Sequence, residues 1–151
     1  MRCRASPRNG AARVSDSVPT FGAPLEGREH RPRAAGYAVI RDAQRRNAAV
    51  RTSLGLLLPG GGLERGETLV ECLRRELREE CARPIAIDRQ IGLALEFFET
   101  QEGAFEGRHV FFEARFVGEP KGVAEYELVW LDAEQARELL HHKSHAWALE
   151  N

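Results

Sequence analysis

Along most of the chain, apolar residues come in short blocks of β type, and helical spacing appears in two places. AAGYAVIR (34–41) and NAAVR (47–51) are β-type runs flanking the polar turn DAQRRN. LGLLL (54–58) is an apolar run that stops at Pro59-Gly60-Gly61-Gly62, a segment that reads as a flexible loop. From Thr68 to about Cys81, apolar residues at Leu69, Val70, Leu73 and Leu77 recur at the helical period, and Thr68 and Glu71 stand at capping-box spacing. IAIDRQIGLALEFFE (85–99) and RHVFFEARFV (108–117) read as two longer strands joined by TQEGAFEG, and ELVWL (127–131) as a last strand. Asp132 and Gln135 repeat the capping box and open a C-terminal helix. Strands in mixed order around two helices predict an α/β fold, an α/β/α sandwich with a mixed β-sheet.

The first 20 residues break this pattern, being rich in Arg, Ser and Pro with a single acid, Asp16. They are read as a disordered N-terminal tail, with ordered structure starting near Arg33 and residues 21–151 forming one domain. An Arg- and Ser-rich, acid-poor start also suits an organellar transit peptide, but the apolar run of a secretory signal is missing. A length of 151 residues suffices for one core. The formal net charge of −1 provides no global attraction to nucleic acid or to an anionic membrane. Cys3, Cys72 and Cys81 are odd in number and lack metal-type spacing, so they are expected to be free thiols in a reducing, cytoplasmic setting.

Chemistry concentrates in residues 60–83, GGGLERGETLVECLRRELREECAR. On a helical wheel Glu76, Glu79 and Glu80 fall within about 100° of one another, beside the apolar stripe, while Glu67, Glu71, Arg74 and Arg78 lie on the opposite, solvated side. Like charges that close raise one another's pKa unless a cation neutralises them. Hard oxygen ligands on one face suit Mg²⁺ or Mn²⁺, and Mg²⁺ completes its shell with water and substrate phosphate. Arg75 flanks the acids, and the side-chain-free Gly60–Gly62 lets backbone approach a phosphate or offer a carbonyl to the metal. No Lys-Ser or Lys-Thr follows the glycines, which excludes a Walker-type loop. A charge-laced surface helix is the bland alternative, but it would need neither the glycines nor acids grouped beside the apolar stripe.

In this segment the chain resembles the Nudix (MutT-like) hydrolase family, whose signature runs Gly, five residues, Glu, seven residues, Arg-Glu-aliphatic-any-Glu-Glu-any-Gly-aliphatic. Gly61, Glu67, Arg75, Glu76, Leu77, Glu79 and Glu80 match it in register. Ala82 stands where the signature has glycine and Arg83 where it has an aliphatic residue, so Pro84 is expected to end the helix instead. Strand and helix order extend the resemblance over roughly residues 34–150.

The resemblance implies Mg²⁺-dependent hydrolysis of a phosphoanhydride in a nucleoside diphosphate linked to another moiety. The substrates it brings into view are a nucleoside triphosphate, a dinucleoside polyphosphate, ADP-ribose or a nucleotide sugar. It implies Glu76, Glu79, Glu80 and the Gly60 carbonyl as metal ligands, with Arg75 orienting Glu76, Gly61 supporting the loop, and Glu67 supporting the loop or a metal-bound water. Glu76 is the candidate general base, and Glu96, Glu99, Glu113, Glu125 and Glu127 are further acids able to serve as base or ligand. A homodimer is the assembly the resemblance favours. A catalytically silent nucleotide-binding module is the main alternative, against which the presence of Arg75 and the three acids speaks, and a plain interaction domain with an acidic helix is the next, to be separated by Mg²⁺ titration. Phe97, Phe98, Phe111 and Phe112 read as core more than as base-stacking residues. On the C-terminal helix, His141 and His145 are one turn apart, but further metal ligands are not apparent. His141, His142 and His145 are therefore expected to be exposed or partner-contacting, with Trp147 as an anchor.

Overall fold

Strand β2 (Arg31–Ile40) is buried from Ala35 onward, and its two faces go to different partners. Ala35, Tyr37 and Val39 enter one core with Leu58, Phe111, Ala136 and Ala148, while Ala38 and Ile40 enter another with Leu73, Leu77 and Phe112. A strand buried on both sides requires a covering layer on each. Helix α1 (Leu69–Cys81) covers one face, and α2 (Ala133–Leu139) with α3 (Lys143–Leu149) covers the other. This computed structural model, which describes residues 17–151, thus has the expected α/β/α layering.

The strands form two sheets. A mixed five-stranded sheet runs β1 (Thr20–Phe21), β6 (Ile85–Thr100), β7 (Gly103–Phe116), β2 and β5 (Gly60–Gly62), and a three-stranded sheet joins β4 (Gly55–Leu57), β3 (Asn47–Thr52) and β8 (Glu127–Leu131). The tail read over residues 1–20 lies outside the described residues up to residue 16. Its end is ordered: Thr20 and Phe21 pair in parallel with Leu95 and Glu96, and the Leu95 N–H donates to the Pro19 carbonyl at 2.9 Å. Regular structure therefore begins before Arg33. The glycine run also departs from expectation, because Gly60–Gly62 is a strand antiparallel to Ala35–Tyr37. Gly60 has φ +140°, and a Cβ there would sit 2.1 Å from the Gly36 carbonyl oxygen, so only glycine fits this close approach. Between β6 and β7 the predicted connection shrinks to a turn at Gln101–Glu102, since Ala104 and Phe105 are buried in the ladder.

Helix α1 begins at the predicted capping box, where Glu71 N–H donates to Thr68 Oγ1 and Thr68 N–H to the Glu71 carboxylate, both at 3.1 Å. Leu73 and Leu77 are fully buried, whereas Val70 is exposed rather than packed on the sheet. The helix ends at Ala82 in the left-handed region (φ 55°, ψ 33°), not through Pro84. An alanine there costs roughly 1 kcal/mol against glycine. Its N–H donates to the Arg78 carbonyl at 3.0 Å, and its carbonyl accepts the Lys121 N–H at 2.7 Å, which holds the turn.

The C-terminal helix is two helices, broken at Leu140 (φ −66°, ψ 127°). The break turns His142 and His145 inward, so the expectation that they are exposed is overturned; His141 alone stays exposed. The Leu58 N–H donates to His145 Nδ1 at 3.1 Å, and His109 Nδ1 lies 2.9 Å from Ser144 Oγ. Trp147 anchors α3 against Phe111 and Phe21, at ring-centroid separations of 6.0 and 6.4 Å. Burial, reinforced by neighbouring His142, pushes His109 down to about 4 and His145 well below the usual imidazole value. Both rings contribute stability that is complete above the unfolded value near 6.5 and is lost as pH falls through the depressed folded values. An imidazole NMR titration is expected to find His109 neutral down to about pH 4. Protonation near pH 6.5 would show that burial does not hold this ring neutral.

Candidate active site

The N-terminal cap of α1 sets the rotation that carries Glu76, Glu79 and Glu80 to the edge of β5. Glu80 is buried there, and its Oε1 accepts the Gly60 N–H at 2.7 Å. Arg75 is the hub of the helix surface. Its Nε and Nη2 hold Glu67 at 2.7 and 3.1 Å, its Nη1 reaches Glu76 at 3.0 Å and Glu79 at 3.4 Å, and Nη2 donates to the Gly62 carbonyl at 3.2 Å. Glu67, expected on the solvated side, is instead folded into this network and accepts the Glu64 N–H at 2.9 Å. The bond from Arg75, with that from Glu64, holds its carboxyl down at about 2.

Of the five acids outside the helix, the fold brings Glu125 to the site. Its N–H donates to the Glu79 carbonyl at 3.0 Å, the Tyr126 N–H donates to the Glu80 carbonyl at 3.2 Å, and Glu125 borders the same cleft as the three helical acids. Glu99 pairs with Arg28, Glu113 with Arg89 and Glu127 with Arg51, all away from that cleft. Glu96 is buried and bound to His142.

The cleft encloses about 420 Å³ and is lined by five glutamates (Glu64, Glu76, Glu79, Glu80, Glu125) against two arginines (Arg33, Arg75). Burial pushes the Glu80 carboxyl up to about 8, with Glu76, Glu125 and Glu79 adding to it against the Gly60 bond. Burial raises Glu76 as well, opposed by Arg75. Among the described residues no three His, Cys, Asp or Glu side chains are drawn around one point as a ready metal cage. Glu80 is turned to the Gly60 N–H and Glu76 to Arg75, as mutually repelling carboxylates would be. The donor set nevertheless fits a hard divalent cation: oxygen ligands, an excess of acids over bases, and a buried carboxyl short of counter-charge.

Two further features complete the geometry. A Cβ on Gly61 would lie 2.7 Å from Glu76 Oε1, so the missing side chain is the space this carboxylate occupies. Cys72, not marked by spacing, directs its Sγ at the Gly61 and Gly62 carbonyls (3.4 and 3.5 Å) from beneath the strand. Gly61→Ala is expected to fold, because the atom it meets ends a movable side chain, yet to lower turnover about 10²-fold by displacing Glu76. Steady-state kinetics beside a thermal melt checks this, and undiminished turnover would free Glu76 of any positional constraint.

At its other end the cleft reaches Tyr37, Phe98, His109 and His142. Sequence reasoning set Phe98 down as core, expected His142 to be exposed, and left Tyr37 and His109 unmarked, since segments far apart in the chain bring them together. Phe111 and Phe112 are buried as expected.

A family model described as NUDIX domain matches residues 30–150. No curated protein matches the chain significantly. Among solved structures, a NUDIX hydrolase from Nitrosomonas europaea shares 18% identity and a TM-score of 0.65, over 80% of this chain and 87% of that one. A MutT protein from Methanosarcina mazei Go1 shares 22% and 0.64, over 82% and 94%. An ADP-ribose pyrophosphatase from Streptococcus suis shares 15% and 0.59, over 79% and 90%. These likenesses are likenesses of fold.

Proposed function

Because the chain belongs to the NUDIX domain family, we propose that it is a divalent-metal-dependent pyrophosphohydrolase acting on a nucleoside diphosphate linked to another moiety. The observation that carries the reading is the meeting of Glu76, Glu79, Glu80 and Glu125 with the Gly60–Gly62 strand along one negatively charged cleft. Glu76, Glu79, Glu80 and the Gly60 carbonyl hold the ion, Mg²⁺ with Mn²⁺ able to substitute. When bound it supplies the positive charge that pyrophosphate oxygens and developing oxyanions require.

The chain's own residues then orient and move a proton. Arg75 holds Glu67 and Glu76 in place, and Glu67 braces the turn at Glu64. Glu76 accepts the proton of a water that attacks phosphorus, as one P–O bond forms and the bridging P–O bond breaks. A nucleoside triphosphate, a dinucleoside polyphosphate, ADP-ribose and a nucleotide sugar all present that bridge. A silent binding module has no use for these acids. The setting is a reducing one, in keeping with the unpaired Cys72 and Cys81. Among the described residues no helix is long and apolar enough to cross a membrane.

Incubating the protein with a panel of these compounds and Mg²⁺, then measuring phosphate released after phosphatase treatment, tests the reading. Turnover of at least one compound, abolished by chelator, is expected. A panel left intact with saturable nucleotide binding would make the chain a binding module instead.

A further inference from the structure

Three side chains in the cleft wall are nine-tenths buried or more, yet each keeps a polar atom without a partner. They are Tyr37, His109 and His142, at 8%, 1% and 3% exposure. Tyr37 Oη, His109 Nε2 and His142 Nε2 have no hydrogen bond among the described residues, and none of them is sealed off from solvent. Buried polar atoms left open to a cleft are a cost unless a ligand uses them. Their rings step across the floor at centroid separations of 5.1 Å (Tyr37–His109) and 5.3 Å (His109–His142), with Phe98 standing 4.9 Å from His142. A flat ligand edge with several hydrogen-bonding groups suits such a wall, and a nucleobase is one. Gly107 leaves the wall open: a Cβ there would come within 2.4 Å of His109 Nε2 and 3.0 Å of the Phe98 ring.

We propose that this wall is the base-recognition subsite of the cleft, and that His142, fixed by Glu96, selects nucleotides whose base presents an exocyclic amine over those presenting a carbonyl at that position. The proposal rests on the nucleotide reading above. Glu96 Oε2 lies 2.6 Å from His142 Nδ1, and Glu96 Oε1 accepts the Ser144 N–H at 2.7 Å. Burial pushes the Glu96 carboxyl up, but the bonds from His142 and Ser144 outweigh it and hold it below its ordinary value. An ionised Glu96 only accepts, so the proton of the neutral imidazole sits on Nδ1. His142 Nε2 is then a lone pair facing the cleft. An amino group on cytosine or adenine donates to it, whereas the carbonyl of uracil or hypoxanthine at the same place sets two acceptors against each other. The rings of His109, His141 and His145 surround His142 at centroid separations of 5.0 to 5.3 Å, and Glu96 is the anion that faces it. Glu96 is thus a positioning residue acting through His142.

The test compares kcat/KM for CTP against UTP and for ATP against ITP at pH 8.5, with titrations of the corresponding monophosphates to read binding without cleavage. Wild type is expected to favour the amino member of at least one pair by about 10-fold or more, in kcat/KM and in Kd. Glu96→Gln lets the amide donate to Nδ1 and moves the ring proton to Nε2, so the preference should collapse or invert. A merely structural glutamate would lower activity toward both members alike and leave the ratio unchanged, which overturns the assignment. If Glu96→Gln fails to fold, ¹⁵N NMR of wild-type His142 decides: a protonated Nδ1 with an Nε2 that shifts on adding CMP or AMP supports the proposal, and a protonated Nε2 sinks it. Amino-selective binding without turnover of any compound in the panel would uphold the subsite and overturn the hydrolase reading; equal binding of both members with turnover retained would overturn the subsite and leave that reading standing.

Discussion

Replacing Glu80 by glutamine is expected to lower turnover by about 10²-fold or more and, in the same molecule, to stabilise the metal-free protein at alkaline pH. The first effect follows from removing one charge of the acidic cluster, since several kcal/mol of transition-state charge stabilisation depend on the bound ion and each 1.36 kcal/mol is tenfold in rate. The second follows from burial. Glu80 titrates at about 8 in the folded chain against an ordinary value near 4.5. A raised carboxyl contributes its full share of stability below the unfolded value and loses it as pH climbs through the folded one. Between pH 4.5 and 8 the metal-free wild type therefore forfeits stability, roughly a few kcal/mol by the size of the shift. Glutamine keeps the acceptor for the Gly60 N–H and carries no charge to desolvate. With chelator at pH 8.5, Glu80→Gln should melt above wild type, and at pH 4 the two should coincide. Mg²⁺ should raise the wild-type melt and leave the variant's nearly still. Equal melts at both pH values, or retained turnover, would take Glu80 out of the ion's site.

Such a trade of stability for charge is what makes the site readable from sequence in part. The helix was legible to the residue at its start, because Thr68 and Glu71 cap it by local bonds alone. From that start the wheel placed Leu73 and Leu77 under the sheet and the acids beside them. Long-range geometry was not legible. A triple glycine carries no side-chain pattern, so its place as a strand beside β2 rests on the close approach of Gly60 to Gly36, a tertiary fact. Five acids outside the helix looked alike by spacing, and only the packing of the segment before β8 against the end of α1 singled out Glu125. The histidines were misread for the same reason. His142 and His145 turn inward because Leu140 breaks the helix, and their partners Glu96, His109 and Leu58 lie dozens of residues away. Ala82 shows the opposite limit: the helix end predicted to shift to Pro84 stays in place, since the bonds to Arg78 and Lys121 outweigh the roughly 1 kcal/mol of strain.

Glu76→Gln is expected to lower turnover by at least about 10²-fold with KM changed little, because what it removes is proton acceptance by a positioned base. Two carboxylates compete for that role. Glu76 is half-buried, with its proton affinity raised by burial toward the range where a base works near neutral pH. It is also gripped by Arg75 at 3.0 Å and seated against Gly61, so its oxygens have one place to be. Glu125 is exposed at the cleft rim, tied by backbone bonds and by a hydrogen bond to the Tyr126 side chain, with no arginine paired to its carboxylate among the described residues. Effective proton transfer needs an oxygen within hydrogen-bond reach of the attacking water throughout the approach. On that ground Glu125→Gln should cost less than about 10-fold, and the acid limb of the pH–rate profile should vanish in Glu76→Gln alone. Were the limb to persist in Glu76→Gln and disappear in Glu125→Gln, the exposed acid would be the base, and Arg75 with Gly61 would serve to hold Glu76 as a ligand only.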